Sequence, residues 1–184
     1  MPTRERLLDE PRAKRRAIQG LSLTEVEALY GSLVETLPAI VYVAEPSPPY
    51  ATIYVSPCIE SLGFTLEEWL EKPDSWVSIL HPEDRERVLA QTEEALQARK
   101  EHDFEYRVLA KDGTVHWLHD RGRFVYDRLD GPIRWQGVLF DITRRKKAEE
   151  EREAVIQQLQ KAVAELDAMR AERTPDATRA HGLT

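Results

Sequence analysis

The pattern of apolar and polar residues predicts five β-strands, two early in the chain and three in its second half. Residues 39–44 and residues 50–55 are rich in β-branched and aromatic side chains and flank a proline-rich turn, which is typical of a hairpin. Residues 104–108 alternate apolar with charged side chains, residues 115–126 follow a Lys-Asp-Gly turn, and residues 131–140 follow a second polar turn. The three later strands are therefore expected to pair as antiparallel neighbours.

A helical period of apolar residues predicts helices around and between these strands. A capping box at Ser22 begins an amphipathic helix that ends before Pro38. Another helix begins with Pro82 in its first position and runs toward the third strand. Three shorter helical segments precede it, at residues 57–62, 66–70 and 75–80. The fold class is therefore α+β, a five-stranded antiparallel sheet with helices on one face.

The strand at residues 131–140 continues into the longest predicted helix. Apolar residues on both parities of this strand predict that both of its faces are covered. From Arg144 to Arg173 the composition favours helix. Asp141 lies between the two elements, where its carboxylate can accept hydrogen bonds from the first free N–H groups of the helix. A shift of the strand would therefore move the helix.

The long helix carries apolar residues in the steps of four and three that define a heptad repeat. A helix of this length has nothing to bury such a stripe against except a copy of itself, so the pattern predicts a homodimer. The sequence leaves open whether the two helices run parallel or antiparallel. The residues expected in this dimer helix are Val155, Leu159, Ala162, Leu166 and Met169.

Composition and charge narrow the classes of protein. The chain has 184 residues, of which 41% are hydrophobic and 32% charged, which suits one domain with polar extensions. The formal net charge of −7 argues against a nucleic-acid partner. No apolar run approaches the roughly 20 residues that span a bilayer, and the basic start lacks the apolar segment of a secretory signal. The single cysteine, Cys58, excludes an internal disulfide, and cytoplasmic localisation is expected.

Candidate catalytic and metal-binding residues are few. The sequence has no nucleophile elbow, phosphate-binding loop, zinc-protease helix or Cys-x-x-Cys pair, so we do not expect an enzyme. His116 and His119 are three positions apart on a predicted strand and face opposite sides, which prevents them from holding one ion. His81 is expected to cap the helix that follows it. We therefore expect no metal site and no haem.

Seven short segments in the order seen here resemble the PAS sensor family, and specifically its subgroup with a C-terminal PAC motif. Together they cover about residues 22–150. The segments are Ser32-Leu-Val-Glu-Thr-Leu-Pro38, Tyr54-Val-Ser-Pro57 with Leu62-Gly-Phe-Thr65, Ile79-Leu-His-Pro-Glu-Asp84, Glu105-Tyr-Arg-Val108, Lys111-Asp-Gly113, His116-Trp-Leu118 and Gly137-Val-Leu-Phe-Asp-Ile-Thr143.

The resemblance implies a ligand-sized space between the sheet and the helices, dimerisation through the flanking helices, and a signal junction at Asp141, Ile142 and Thr143. The sequence lacks the cysteine motif of flavin-binding light sensors, so a cysteinyl-flavin adduct is not supported and the cofactor is unknown. The inward residues expected here either line a pocket for a small ligand or fill the core. They are Tyr42, Tyr54, Val88, Tyr106, Val108, Leu118 and Leu139.

These observations predict a sensor or regulatory module that binds a small ligand or a partner and acts through a dimeric helix on an effector domain or protein. The alternative is a ligand-free module that serves only for dimerisation or assembly. Neither the ligand nor the output is identified by the sequence. The predicted segments are a flexible arm (1–21), an amphipathic helix (22–37), the PAS domain (38–143), a coiled-coil signalling helix (144–173) and a disordered tail (174–184).

Overall fold

The computed structural model describes residues 22–127 and 131–173. The chain divides into two compact units, one ending at Asp141 and the other beginning at Ile142. The predictions of a flexible arm at residues 1–21 and a disordered tail at residues 174–184 lie outside the described residues.

The first unit contains the five predicted strands and the helices predicted before the third strand. The elements are α1 (Leu23–Thr36), β1 (Ile40–Ala44), β2 (Thr52–Val55), a 3₁₀-helix (Pro57–Leu62), α2 (Leu66–Glu71), α3 (Ser75–Ile79), α4 (Pro82–Ala98), β3 (His102–Leu109), β4 (Val115–Tyr126) and β5 (Pro132–Asp141). The strands form one sheet in the order β2-β1-β5-β4-β3, and every neighbouring pair is antiparallel. The predicted α+β fold class is confirmed, and β5 occupies the centre of the sheet.

Local side-chain chemistry explains where the helices begin. The Ser22 hydroxyl accepts a hydrogen bond from the backbone N–H of Glu25, and the Glu25 carboxylate accepts one from the backbone N–H of Ser22. These two bonds complete the predicted capping box. His81 caps α4 as predicted, because its Nδ1 accepts from the backbone N–H of Glu83 at 3.3 Å. In the first turn of the same helix, Asp84 accepts hydrogen bonds from the Arg107 side chain of β3, which lower the pKa of Asp84 to about 2.

The hydrophobic core lies between the helices and one face of the sheet. Side chains from β1, β5 and the helices pack in it as one cluster. On β5, however, only Trp135 and Leu139 are buried, whereas Ile133 is 45% exposed and Phe140 is 41% exposed. The prediction that both faces of this strand are covered is therefore wrong for the single chain. An antiparallel sheet can leave one face open even when that face carries apolar residues.

The second unit is described as one helix, α5, which spans Thr143–Arg173. The apolar residues of its heptad stripe are exposed, from 53% at Val155 to 61% at Leu159. Within residues 22–127 and 131–173, no helix combines the length and the hydrophobicity needed to cross a bilayer.

Candidate functional site

Six of the seven residues predicted to point inward lie in the core, and Tyr54 does not. Tyr42, Val88, Tyr106, Val108, Leu118 and Leu139 are buried, whereas Tyr54 is 42% exposed. The prediction for Tyr54 is wrong because the register of the hairpin pairs Val55 with Tyr42 and Tyr54 with Val43. Paired residues share a face of the sheet, so Val55 lies inside and Tyr54 outside.

Trp135 on β5 is the centre of an aromatic cluster inside the domain. Its ring lies 4.8 Å from that of Trp76 and 5.3 Å from those of Tyr42 and Tyr50, all in edge-on arrangements. It also stacks on Phe124 at 5.8 Å. Edge-on and stacked arrangements at these distances are the favourable ones for aromatic rings. The rings of the cluster therefore pack closely against one another inside the domain.

The cavity that remains beside this cluster is small. Its volume is about 20 Å³, and its lining includes Ile40, Tyr50, Trp69, Trp76 and Leu139. One water molecule needs about 10–15 Å³ of such space, whereas a typical ligand pocket has a volume of about 300–1,000 Å³. A small molecule could enter only if the aromatic rings moved apart.

A network of polar side chains is buried at the edge of the aromatic cluster. Asp120 of β4 is 1% exposed, and its Oδ1 accepts hydrogen bonds from the Tyr42 hydroxyl at 2.9 Å and from His102 Nε2 at 2.9 Å. Its Oδ2 accepts from the Tyr106 hydroxyl at 2.9 Å. On the other side of the imidazole ring, Trp135 Nε1 lies 3.3 Å from His102 Nδ1. The carboxylate is thus held by three donors, one from β1 and two from β3.

The two tyrosine donors of this network stay protonated. Burial, reinforced by the nearby Asp120 carboxylate, holds the pKa of Tyr42 and of Tyr106 well above the usual tyrosine range. The Tyr106 hydroxyl in turn accepts from Trp76 Nε1 at 2.9 Å. In the described part of the chain, no buried side-chain nitrogen or oxygen lacks a hydrogen-bond partner. The network is therefore fully satisfied, which a buried carboxylate requires.

Two glycines make room for the network. Strand register places Tyr42, Gly137, Gly122 and His102 in one row across β1, β5, β4 and β3. A Cβ on Gly137 would lie 2.7 Å from the Tyr42 hydroxyl, and a Cβ on Gly122 would lie 2.5 Å from His102 Cε1. The two outer side chains of the row meet above the glycines of the two central strands.

The sequence pattern did not predict this network. Asp120 offered a signal, because it is a charged residue two positions after the inward Leu118 on the same strand and therefore shares its face. A carboxylate on the inner face of a predicted core strand needs a partner. The partners come from other strands, and only the register identifies them.

The predicted signal junction lies where β5 ends. Asp141 is the last residue of β5, Ile142 follows it, and Thr143 is the first residue of α5. The Asp141 carboxylate accepts from His116 Nδ1 at 2.7 Å, and the Thr114 hydroxyl lies 3.2 Å from the Nε2 of the same histidine. The side chain of Asp141 is thus tied to β4 in the first unit.

The remaining histidine contacts do not assemble a metal centre. His119 pairs with Asp103 on β3, whereas His116 pairs with Asp141 at the end of β5. Among residues 22–127 and 131–173, no three His, Cys, Asp or Glu side chains are grouped closely enough to hold a metal ion.

Comparison with known proteins places this domain in a family. Residues 52–139 match the family model described as the PAS fold. A methyl sulfide methyltransferase-associated sensor of Methanosarcina acetivorans is 33% identical over 112 residues, which are 60% of this chain and 11% of that protein. The chain therefore spans only a small part of this curated relative.

Solved structures with sequence similarity have the same fold. The N-terminal domain of a diguanylate cyclase with PAS/PAC sensor from Marinobacter aquaeolei is 29% identical, with a TM-score of 0.52 over 59% of this chain and 98% of that one. A sensory box histidine kinase/response regulator from Burkholderia thailandensis is 28% identical, with a TM-score of 0.58 over 72% of this chain and 98% of that one. The chain contains a domain of the PAS family, similar to domains of sensor and signal-transduction proteins.

Proposed function

We propose that this chain is a cytoplasmic, non-catalytic signal-input module that passes a change in its core through β5 to α5, and that α5 pairs with the same helix of a second chain. The observation that carries the proposal is the course of β5. This central strand holds Trp135 in the aromatic cluster, holds Gly137 beneath the buried network, and ends at the residue before Ile142 and α5. A rearrangement of the core rings would act directly on the strand that leads into the helix.

Exposure of the heptad stripe supports pairing of α5. Its apolar side chains repeat on one face over about three heptads, and each is more than half exposed at Val155, Leu159, Leu166 and Met169. Burying such a stripe against a second copy removes apolar surface from water at about 25 cal/mol per Å². The effector would be a further domain or a separate protein that responds to the paired helices.

Polar substitution of the stripe tests the pairing. Leu159→Ser combined with Leu166→Ser is expected to convert dimers to monomers, because it places hydroxyls at the centre of the helix interface. Sedimentation analysis gives the subunit number, and near-ultraviolet circular dichroism reports whether the tryptophan core is retained.

The control is Lys161→Ser combined with Ala168→Ser, which has the same spacing on the same helix but lies off the stripe. It carries the same helix-propensity cost of serine and is expected to remain dimeric. A dimer that persists in the Leu159/Leu166 variant would contradict pairing through α5.

Neutralising Asp141 tests the junction. Asp141→Asn removes a negative charge at the start of α5, where it opposes the helix dipole, and weakens the contact with His116. We expect faster amide exchange over residues 143–150 and weaker dimerisation, with an unchanged melting temperature of the core. Hydrogen exchange by mass spectrometry measures the first effect.

Asp103→Asn is the matched control for this variant, since Asp103 is an exposed aspartate that also pairs with a histidine, His119, away from the junction. It should leave exchange at the start of α5 unchanged. Equal exchange in both variants and the wild-type chain would exclude the proposed role of Asp141.

Two forms of the input are distinguished by one measurement. The mixed lining of the inner space, with the Tyr42 ring beside apolar side chains, favours a small ligand that opens the cavity. The small volume of that cavity favours a module that works without a ligand. In a native mass spectrum of the purified chain, a dimer with additional mass supports the ligand-binding form, and a dimer of bare chains supports the ligand-free form.

A further inference from the structure

The protonation state of His102 follows from its two neighbours. The indole Nε1–H of Trp135 can only donate a hydrogen bond, so His102 Nδ1, 3.3 Å away, must accept it and carries no proton. Asp120 Oδ1 accepts from the other ring nitrogen, Nε2, which therefore carries the proton. The closed core thus fits a neutral imidazole in the Nε2–H form, assigned from the hydrogen-bond network.

We propose that His102 and Trp135 form a pH-responsive switch: a second proton on His102 breaks the hydrogen bond from Trp135 and releases the indole ring from the closed cluster. A proton from solvent would bind Nδ1, where two N–H groups would then face each other at 3.3 Å. Neither can accept from the other, so the ring of Trp135 has to move away.

The groups around the ring decide which contact breaks. The titratable groups that face it are Asp120 of β4 and Tyr42 of β1, whose hydroxyl lies 3.1 Å from His102 Nε2, and Tyr106 of β3 lies behind the carboxylate. Asp103 is the nearest carboxylate on the same strand. A charged imidazole strengthens the bond from Nε2 to the Asp120 carboxylate. The contact on the Nδ1 side, to Trp135, is therefore the one that is lost.

Burial makes the closed state sensitive to acid. The His102 side chain is completely buried and that of Asp120 is 1% exposed. In the closed state the His102 imidazole is neutral, so this state holds fewer protons than a state in which Trp135 has moved away. A fall in pH therefore favours the state in which Trp135 has moved. The closed core is therefore expected at higher pH and the released one at lower pH.

Release of Trp135 would act on the strand that ends in Asp141. This last step, from β5 to α5, rests on the proposed function, whereas the release of the indole ring does not. A switch in the core and its transmission to the helix can therefore be tested separately.

The test uses the full chain with ¹⁵N-labelled histidine and tryptophan and follows the ring signals by nuclear magnetic resonance from about pH 8 to about pH 5.5. We expect His102 in the Nε2–H form at the upper pH and doubly protonated at the lower one. Over the same range, the rate of solvent exchange of the Trp135 indole N–H, divided by the intrinsic rate of an exposed indole at the same pH, should rise at least about tenfold, because the opening equilibrium constant rises by that factor. A His102 ring that stays neutral with Trp135 unchanged would overturn the proposal, as would loss of all folded signals at the pH at which Trp135 is released.

Variants then separate the switch from its output. Trp135→Phe removes the donor and should let His102 take its second proton at a higher pH than in the wild-type chain, whereas the control Trp117→Phe should not. An unaltered His102 titration in Trp135→Phe would contradict the switch. If Trp135 is released but the dimer affinity of the chain is the same at both pH values, the switch stands and transmission through β5 to α5 fails.

Discussion

Replacing Asp120 with alanine is expected to lower the free energy of unfolding by about 3–5 kcal/mol, because it leaves three buried donors without an acceptor at about 1–3 kcal/mol each. The donors are the hydroxyls of Tyr42 and Tyr106 and the Nε2–H of His102. Part of this loss is offset, since the carboxylate no longer has to be held away from water. Urea denaturation followed by tryptophan fluorescence measures the change.

Two further variants define the cause of this loss. Asp103 lies on the neighbouring strand, and its carboxylate is exposed. Asp103→Ala should therefore change the free energy of unfolding by no more than about 0.5 kcal/mol. Asp120→Asn keeps the shape of the side chain and one carbonyl acceptor. Its loss of stability should therefore lie between the losses of the two alanine variants. If Asp120→Ala cost no more than Asp103→Ala, the buried network would contribute nothing to stability.

Local patterns were sufficient to predict the elements of the fold. Alternation with a period of two located strands, and the capping box at Ser22 located a helix start that the structure contains. These signals are local because strand alternation and capping depend on residues a few positions apart. Alternation gave the wrong face for Tyr54, since that face depends on the register of the hairpin, which pairs Tyr54 with Val43.

The buried network could not be predicted in the same way. Tyr42, His102 and Asp120 are separated by up to 78 residues and meet only because four strands are in register. Trp135 is a similar case, because its role as the centre of the cluster depends on β5 lying between β1 and β4. A sequence pattern specifies which face a residue takes, and sheet order specifies which residues it meets.

Substitution of Gly137 by alanine is the second change with a large expected effect. The added Cβ would lie 2.6 Å from the backbone oxygen of Arg121, 2.7 Å from the Tyr42 hydroxyl and 3.0 Å from the Cα of Gly122. Overpacking of this kind costs about 1–3 kcal/mol, and displacement of Tyr42 would add the loss of its hydrogen bond to Asp120. We expect a lower denaturation midpoint and an altered tryptophan spectrum.

The matched control is Gly31→Ala in α1, where an added Cβ meets nothing within 4 Å. In a helix interior this change should stabilise by about 0.5–1 kcal/mol, so the two glycine variants should shift stability in opposite directions.

Combining Gly137→Ala with Tyr42→Phe removes the hydroxyl that the new methyl group meets, although the contact with the Arg121 backbone remains. The double variant should therefore lose less stability than the sum of the single variants, by about 0.5–3 kcal/mol. Simple additivity would mean that Gly137 is required by the backbone of β4 alone, and that its place beneath Tyr42 has no energetic consequence.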